Sequence, residues 1–392
     1  MIGPQAGIER RVSSALDAVP SRIPIVLGGC GTGRTFMVER LRDRLGRGSA
    51  QYIDVERSAT TPERFLQSVA AESPFAWHAA DRQPATPKAS FDALLTFFNT
   101  ARAPGGAPAT FILDEVLELR TFESFPGLRH VVRELLASLA TSPNRFVLTT
   151  RYVARARRFL RDVTQPFEVI SVPPLSPADI TELLAPAFNG YEQMATVDRD
   201  YLGRAVQALT DGRVGYVTRI GEAVTAARGR ATDPISALIA LLSPGAPLER
   251  ECRFSYELRL HRARGYGALK AILDILAAEE SLTLTEISIR LRRTPGSTKD
   301  YLSWLEDVDL VTSRQKRYSF ADPMLRLWVR LHCRPTRPSE DDIVREVQNY
   351  TSTRVPLQEP VPALAYAGAG AGAVTVDATP DERKSWGIIE ID

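Results

Sequence analysis

Ile23-Pro24-Ile25-Val26-Leu27-Gly28-Gly29-Cys30-Gly31-Thr32-Gly33-Arg34-Thr35 joins an apolar run to a glycine-rich turn and then to a helical pattern. The spacing G-x-x-x-x-G-R-T, preceded by a strand and followed by a helix, is that of a P-loop. Gly28, Gly29, Gly31, Thr32 and Gly33 let backbone amides turn inward around a diphosphate, and the helix N-terminus adds partial positive charge. Thr35 offers a hydroxyl to Mg²⁺. Arg34 stands where lysine ordinarily reaches the β- and γ-phosphates. A guanidinium keeps the charge and binds phosphate bidentately, but it is larger and planar. The expected ligand is ATP with Mg²⁺, and binding is better founded than turnover.

Two further strand ends extend this reading. Thr110-Phe111-Ile112-Leu113-Asp114-Glu115 is a buried-strand pattern ending in two acids. Asp114 is placed to hold Mg²⁺ and Glu115 to polarise an attacking water. Phe146-Val147-Leu148-Thr149-Thr150-Arg151 delivers hydroxyls and a guanidinium, groups that sense a γ-phosphate by charge and hydrogen bonding. The candidate catalytic set is therefore Glu115, Arg34, Thr149 and Arg151. Arg120 and Arg129 are available as arginine fingers acting in trans.

Around these motifs, residues 1–172 alternate short apolar runs with amphipathic stretches, the signature of an α/β fold with a parallel sheet and helices on both faces. Strands are expected at 23–27, 51–55, 110–113, 145–149 and 167–171. Residues 173–248 become all-helical, a lid opened by Ser176-Pro177-Ala178-Asp179. Residues 249–334 carry a helix, helix, turn, helix and two-strand pattern, a winged helix-turn-helix. Its reading face would be Ser297, Thr298 and Tyr301, and its wing carries Arg314, Lys316 and Arg317. Residues 335–392 are rich in Pro, Ala and Gly and read as a flexible tail ending in the apolar-acidic Trp386–Asp392.

Composition excludes several classes. Forty-nine basic against 47 acidic side chains give a net charge of +2, too little to require nucleic acid or an anionic membrane as partner. The longest apolar runs fall far short of the roughly 20 residues that span a bilayer. Three widely spaced cysteines, Cys30, Cys252 and Cys333, fit free thiols rather than disulfides or a metal site. The expected compartment is the cytoplasm.

With these residues in hand, the chain resembles the archaeal-type ATPases of the STAND branch, within the wider AAA+ and ORC-like class, over about 7–332. Leu148-Thr149-Thr150-Arg151 resembles the sensor strand of NB-ARC-related switch ATPases, and Val172-Pro173-Pro174-Leu175-Ser176 their lead-in to the helical lid. Thr210–Tyr216 matches the place of the lid motif G-G-x-P-x-x-L, with Val214 at the proline position. Asp322 would take the acid position at the end of the winged helix. Gly7-Ile8-Glu9-Arg10 is a reduced form of the family's N-terminal box. The resemblance implies an ATP-binding switch with slow hydrolysis that acts on a protein partner or by self-association. The alternatives are a DNA-binding regulator using the winged helix, and a non-hydrolysing scaffold.

Overall fold

The computed structural model describes residues 3–355 except 77–83, 162–165, 189–197, 227–232 and 264. The expected peptide at Trp386–Asp392 lies outside the described residues. Helix α1 (Gly3–Asp17) leads into β1 (Ile23–Leu27), and α2 (Arg34–Leu45) follows the glycine turn. Next come β2 (Ala50–Asp54), α3 (Val55–Ser58), α4 (Pro62–Ala71), α5 (Pro87–Thr100) and β3 (Thr110–Asp114). A 3-10 segment (Val116–Ser124), α6 (Val131–Ala140), β4 (Arg145–Thr150), α7 (Val153–Phe159) and β5 (Phe167–Ser171) follow.

The five strands form one parallel sheet in the order β2-β3-β4-β1-β5. Side chains alternate between its faces because successive Cβ atoms of a strand point in opposite directions. Phe111, Leu113 and Phe146 pack with Phe65, Phe97 and Phe98 from α4 and α5. Val26, Ile112, Val147 and Ile170 pack instead with Val12 of α1 and with Met37 and Leu41 of α2. Both faces are covered, as parallel sheets require. Register pairs Leu27 with Thr150, and Leu113 with Leu148, so the ends of β1, β3 and β4 meet at one carboxyl edge.

Helices α8 (Pro177–Phe188), α9 (Arg199–Thr210), α10 (Val214–Ala226), α11 (Pro234–Leu242) and α12 (Pro247–Arg262) come next. Then α13 (Tyr266–Ala278), β6 (Leu282–Thr283), α14 (Leu284–Leu291), α15 (Pro295–Asp307), β7 (Val311–Arg314) and β8 (Arg317–Phe320) form a helical unit with a small antiparallel sheet, order β6-β8-β7. A capping box between Thr283 and Glu286 starts α14. Helix α16 (Pro323–His332) is capped by Asp322.

Three helices depart from the sequence reading. The prolines of 335–352 predict a flexible tail, yet this stretch contains α17 (Glu340–Ser352). A Ser339–Asp342 capping box starts it, and Ile343 and Val347 are buried beneath it. Helix α1 extends on both sides of the box expected at 7–10, and charged α12 carries too weak an apolar stripe to be seen by period alone. Thr298, expected on a reading face, is fully buried and donates to the Thr294 carbonyl at 2.9 Å. Among the described residues, no helix is long and apolar enough to cross a membrane.

Candidate functional site

The glycine turn leaves β1 with Gly28 donating to the Thr150 carbonyl at 3.4 Å. Gly31 and Gly33 have φ values of 74° and 80°, a left-handed region that side chains disfavour, so the tight turn depends on glycine there. Among the described residues, none accepts a hydrogen bond from the amides of Gly29, Cys30 or Gly31. The carbonyls are held elsewhere. Gly215, in the first turn of α10, donates to the Gly31 carbonyl at 2.8 Å, and Arg213 Nη1 donates to the Cys30 carbonyl at 3.0 Å. A trans peptide sets each carbonyl opposite the next N–H. Holding Cys30 and Gly31 carbonyls against the helical segment therefore aims the Gly31 and Thr32 amides away from it.

At the edge of the sheet, Asp114 ends β3 and is almost fully buried. Its Oδ2 accepts from Thr35 Oγ1 and from Tyr52 Oη, each at 2.9 Å, and Thr149 Oγ1 donates to Oδ1. Thr35 and Asp114 thus sit together as one hydroxyl and one carboxylate. That donor set suits an oxygen-seeking cation that keeps waters and takes phosphate oxygens.

Glu115 follows with φ 60°, a left-handed conformation for a residue with a side chain, at the start of the 3-10 segment. Such strain persists only where the surroundings over-determine it. Here they do. Arg34 Nη2 donates to Glu115 Oε1 at 2.6 Å, the Arg151 amide donates to Oε2 at 2.9 Å, and Arg151 Nε lies 3.0 Å from Oε1. Burial alone would raise the Glu115 carboxyl, but Arg34 and Arg151 together hold it below the usual range. Arg151 also pairs with Glu56 of α3.

Arg34 therefore lies within the sheet edge. It is 7% exposed, and its Nη1 donates to Thr149 Oγ1 at 3.3 Å. Its buried Nε has no partner among the described residues, an orphaned donor beside the glycine turn. Thr149 is fully buried and bridges Asp114, Arg34 and the Glu115 amide. The structure thus brings Arg34, Thr35, Asp114, Glu115, Thr149 and Arg151 into one connected network. Sequence reasoning missed Tyr52, Glu56 and Arg213. The only signal for Arg213 was its place in Thr210-Asp211-Gly212-Arg213 before α10.

Arg213 also reaches the far unit. Its Nη2 donates to the Ala321 carbonyl at 2.7 Å, and Nη1 lies 3.1 Å from Asp322 Oδ2, which accepts from Tyr216 Oη at 2.7 Å. A second junction forms at α7. Asp309 accepts from the Val153 amide, and from the Ala154 amide at 3.2 Å, capping α7 just beyond β4. Arg158 pairs with Asp307 alongside.

Burial pushes the Asp309 carboxyl up to about 6, against the pull of these amides and of Arg259 and Arg155. A carboxyl raised in the folded state contributes stability that is full below about pH 4 and lost as pH rises through about 6. The span corresponds to about 2–3 kcal/mol. Asp309→Asn is expected to flatten that part of the stability profile, read from denaturant midpoints between pH 4 and 6.5. An unchanged slope in the variant would assign the effect elsewhere.

The fold and this edge define an α/β P-loop NTPase architecture. Among solved structures, the chain is similar to the Walker-type ATPase paby2304 of Pyrococcus abyssi, with TM-score 0.60 and 17% identity over 83% of this chain and 95% of that one. It is also similar to the Aeropyrum pernix ORC2 protein in its ADPNP–ADP complexes, with TM-score 0.49 and 14% identity over 90% and 93%. A third likeness is the Aeropyrum pernix ORC1 protein in complex with DNA, at 0.44 and 15% over 89% and 93%. The first supports the fold, and the other two fall below the similarity at which they bear on it. No family model and no curated protein matches the chain.

Proposed function

We propose that the chain is an ATP-binding molecular switch with slow hydrolysis, in which nucleotide state is coupled to the arrangement of a helical lid (173–248) and a winged-helix unit (249–334). The observation that carries this is Arg213, one guanidinium shared by the glycine turn and the far unit. In this reading the amides of Gly29, Gly31, Thr32 and Gly33 receive the phosphates, and Gly28, whose amide is tied to the Thr150 carbonyl, sets the entry of the turn. Arg34 leaves Glu115 to join them, which frees Glu115 to orient water. Thr35 and Asp114 hold Mg²⁺, which neutralises phosphate charge when bound. Thr149 and Arg151 pass the change to α7, and a protein partner or second copy receives it in the cytoplasm. The orphaned Arg34 Nε beside the glycine turn supports the fit.

Gly28→Val tests the cradle. A Cβ at Gly28 would already lie 2.6 Å from Thr32 Oγ1 and 3.1 Å from both Arg34 Cδ and Val172 Cβ. Overpacking of about 1–3 kcal/mol corresponds to roughly ten- to hundredfold weaker ATP binding, measured with a fluorescent analogue. Wild-type affinity in this variant would sink the reading.

A DNA-binding reading draws on the exposed Arg314, Lys316 and Arg317 at the β7–β8 turn. A gel shift that weakens as salt rises would favour it. Buried Thr298, and α15 anchored to α7 through Asp307, favour a packing role for this unit instead.

A further inference from the structure

A cavity of about 710 Å³ opens between the 3-10 segment, α7 and α15, lined by Glu118, Arg120, Arg129, Tyr152, Arg155 and Trp304 among others. A second of about 680 Å³ adjoins it, sharing Arg120 and Arg155 and adding Arg133. None of the lining residues belongs to Gly28–Thr35, Asp114 or Glu115. The carboxylates here are already engaged. Glu118 accepts from Tyr152 Oη at 2.7 Å, Glu123 pairs with Arg120 at 3.3 Å, and Asp307 pairs with Arg158.

The arginines are left in surplus. Arg129, Arg133 and Arg155 make no ion pair or hydrogen bond with any described residue, and the Arg155 Nε is buried without a partner. Arg155 lies over the Tyr152 ring at 5.1 Å, an attraction that does not neutralise its charge. Its burial and the nearby Arg120 charge disfavour the protonated form, against the pull of Glu118 and Asp309. Arg129 and Arg133 are exposed, but the half-buried Arg155 guanidinium is costly unless an anion completes it, and the exposed pair stands ready beside it. A bare phosphate would fill little of such a space, which is the size of small-molecule sites. Trp304 adds half-buried aromatic surface to this wall, whereas Tyr152 is buried beneath Arg155.

We propose that this cavity is a second ligand site, in which Arg155, Arg129 and Arg120 hold the phosphates of a nucleoside phosphate and Trp304 receives its base.

Equilibrium dialysis of the full chain with labelled ADP tests this, with pyrophosphate and a single-stranded oligonucleotide as competitors. Wild type is expected to bind two equivalents. Arg155→Gln/Arg129→Gln is expected to lose one, weakened on the order of 100-fold, because charge-assisted hydrogen bonds are lost at two positions. Its melting temperature should hold or rise, since unpaired like charges are removed. Trp304→Ala should weaken the same equivalent and leave pyrophosphate binding unchanged. A single wild-type equivalent that the arginine variant keeps, or two that it keeps, would overturn the proposal. Pyrophosphate binding as tightly as ADP would overturn the nucleoside part. An oligonucleotide that binds here while ADP does not would assign the surface to nucleic acid instead. Failure of the P-loop reading looks different: one equivalent that Gly28→Val keeps and the arginine variant loses.

Discussion

Arg34→Ala is expected to lower ATP binding below detection and to reduce unfolding free energy by about 2–3 kcal/mol, less than the ~3–5 kcal/mol of a fully orphaned buried ion. The side chains of Arg34 and Glu115 are 6% and 5% exposed and meet at 2.6 Å, so removing one leaves a carboxylate in a low-dielectric setting. Arg151 stays 3.0 Å from that carboxylate and limits the damage. The same substitution removes the cation beside the glycine turn. Arg34→Lys separates the two roles. It restores charge for phosphate, but a single ammonium cannot serve Glu115 and Thr149 together, so binding should recover further than stability. Denaturation curves and nucleotide titrations on the three proteins read both quantities. Wild-type stability in Arg34→Ala would mean that the Glu115 pair contributes nothing.

Glu115→Gln is expected to slow ATP turnover by about 10²–10⁴-fold, the usual contribution of a positioned general base. ATP affinity should stay within a few-fold of wild type. Glutamine keeps one oxygen for Arg34 Nη2 and the side-chain shape, while its NH₂ replaces the oxygen that accepts from the Arg151 amide, so one of the two hydrogen bonds is lost. Because two arginines hold the Glu115 carboxyl low, it is ionised throughout the neutral range and is a weak base while paired. Slow wild-type turnover follows from that pairing. Turnover equal to wild type in the glutamine variant would transfer the base role elsewhere, and equally absent turnover in both would favour a non-hydrolysing scaffold.

The sheet was legible because each strand announced itself as a short apolar run, with a chemically distinctive end at Gly28, Asp114 and Thr149. Convergence of those ends follows from parallel pairing alone. The direction of Arg34 was not legible. Sequence spacing places it at the loop, whereas the nearest buried charge, Glu115, decides where its guanidinium rests. Tyr52 and Glu56 sit in and just after a strand with no motif, and only the register of Asp54 against Asp114 brings them to the edge. Helix α17 was hidden by the prolines before it, although Ser339 and Asp342 carried its start. Helix α12 was hidden by its charges, Arg259 among them, which tertiary contacts bury.

Arg213 has a mechanical meaning. Its three oxygen partners come from stretches of chain near residues 30 and 320, so the glycine turn and the far unit share one pivot. A peptide group is rigid, so turning the Cys30 carbonyl turns the Gly31 N–H by the same angle. Any swing of the far unit that keeps hold of Arg213 is therefore geared to the tilt of a single peptide plane. A swing that lets go frees that plane to follow whatever charge lies before it.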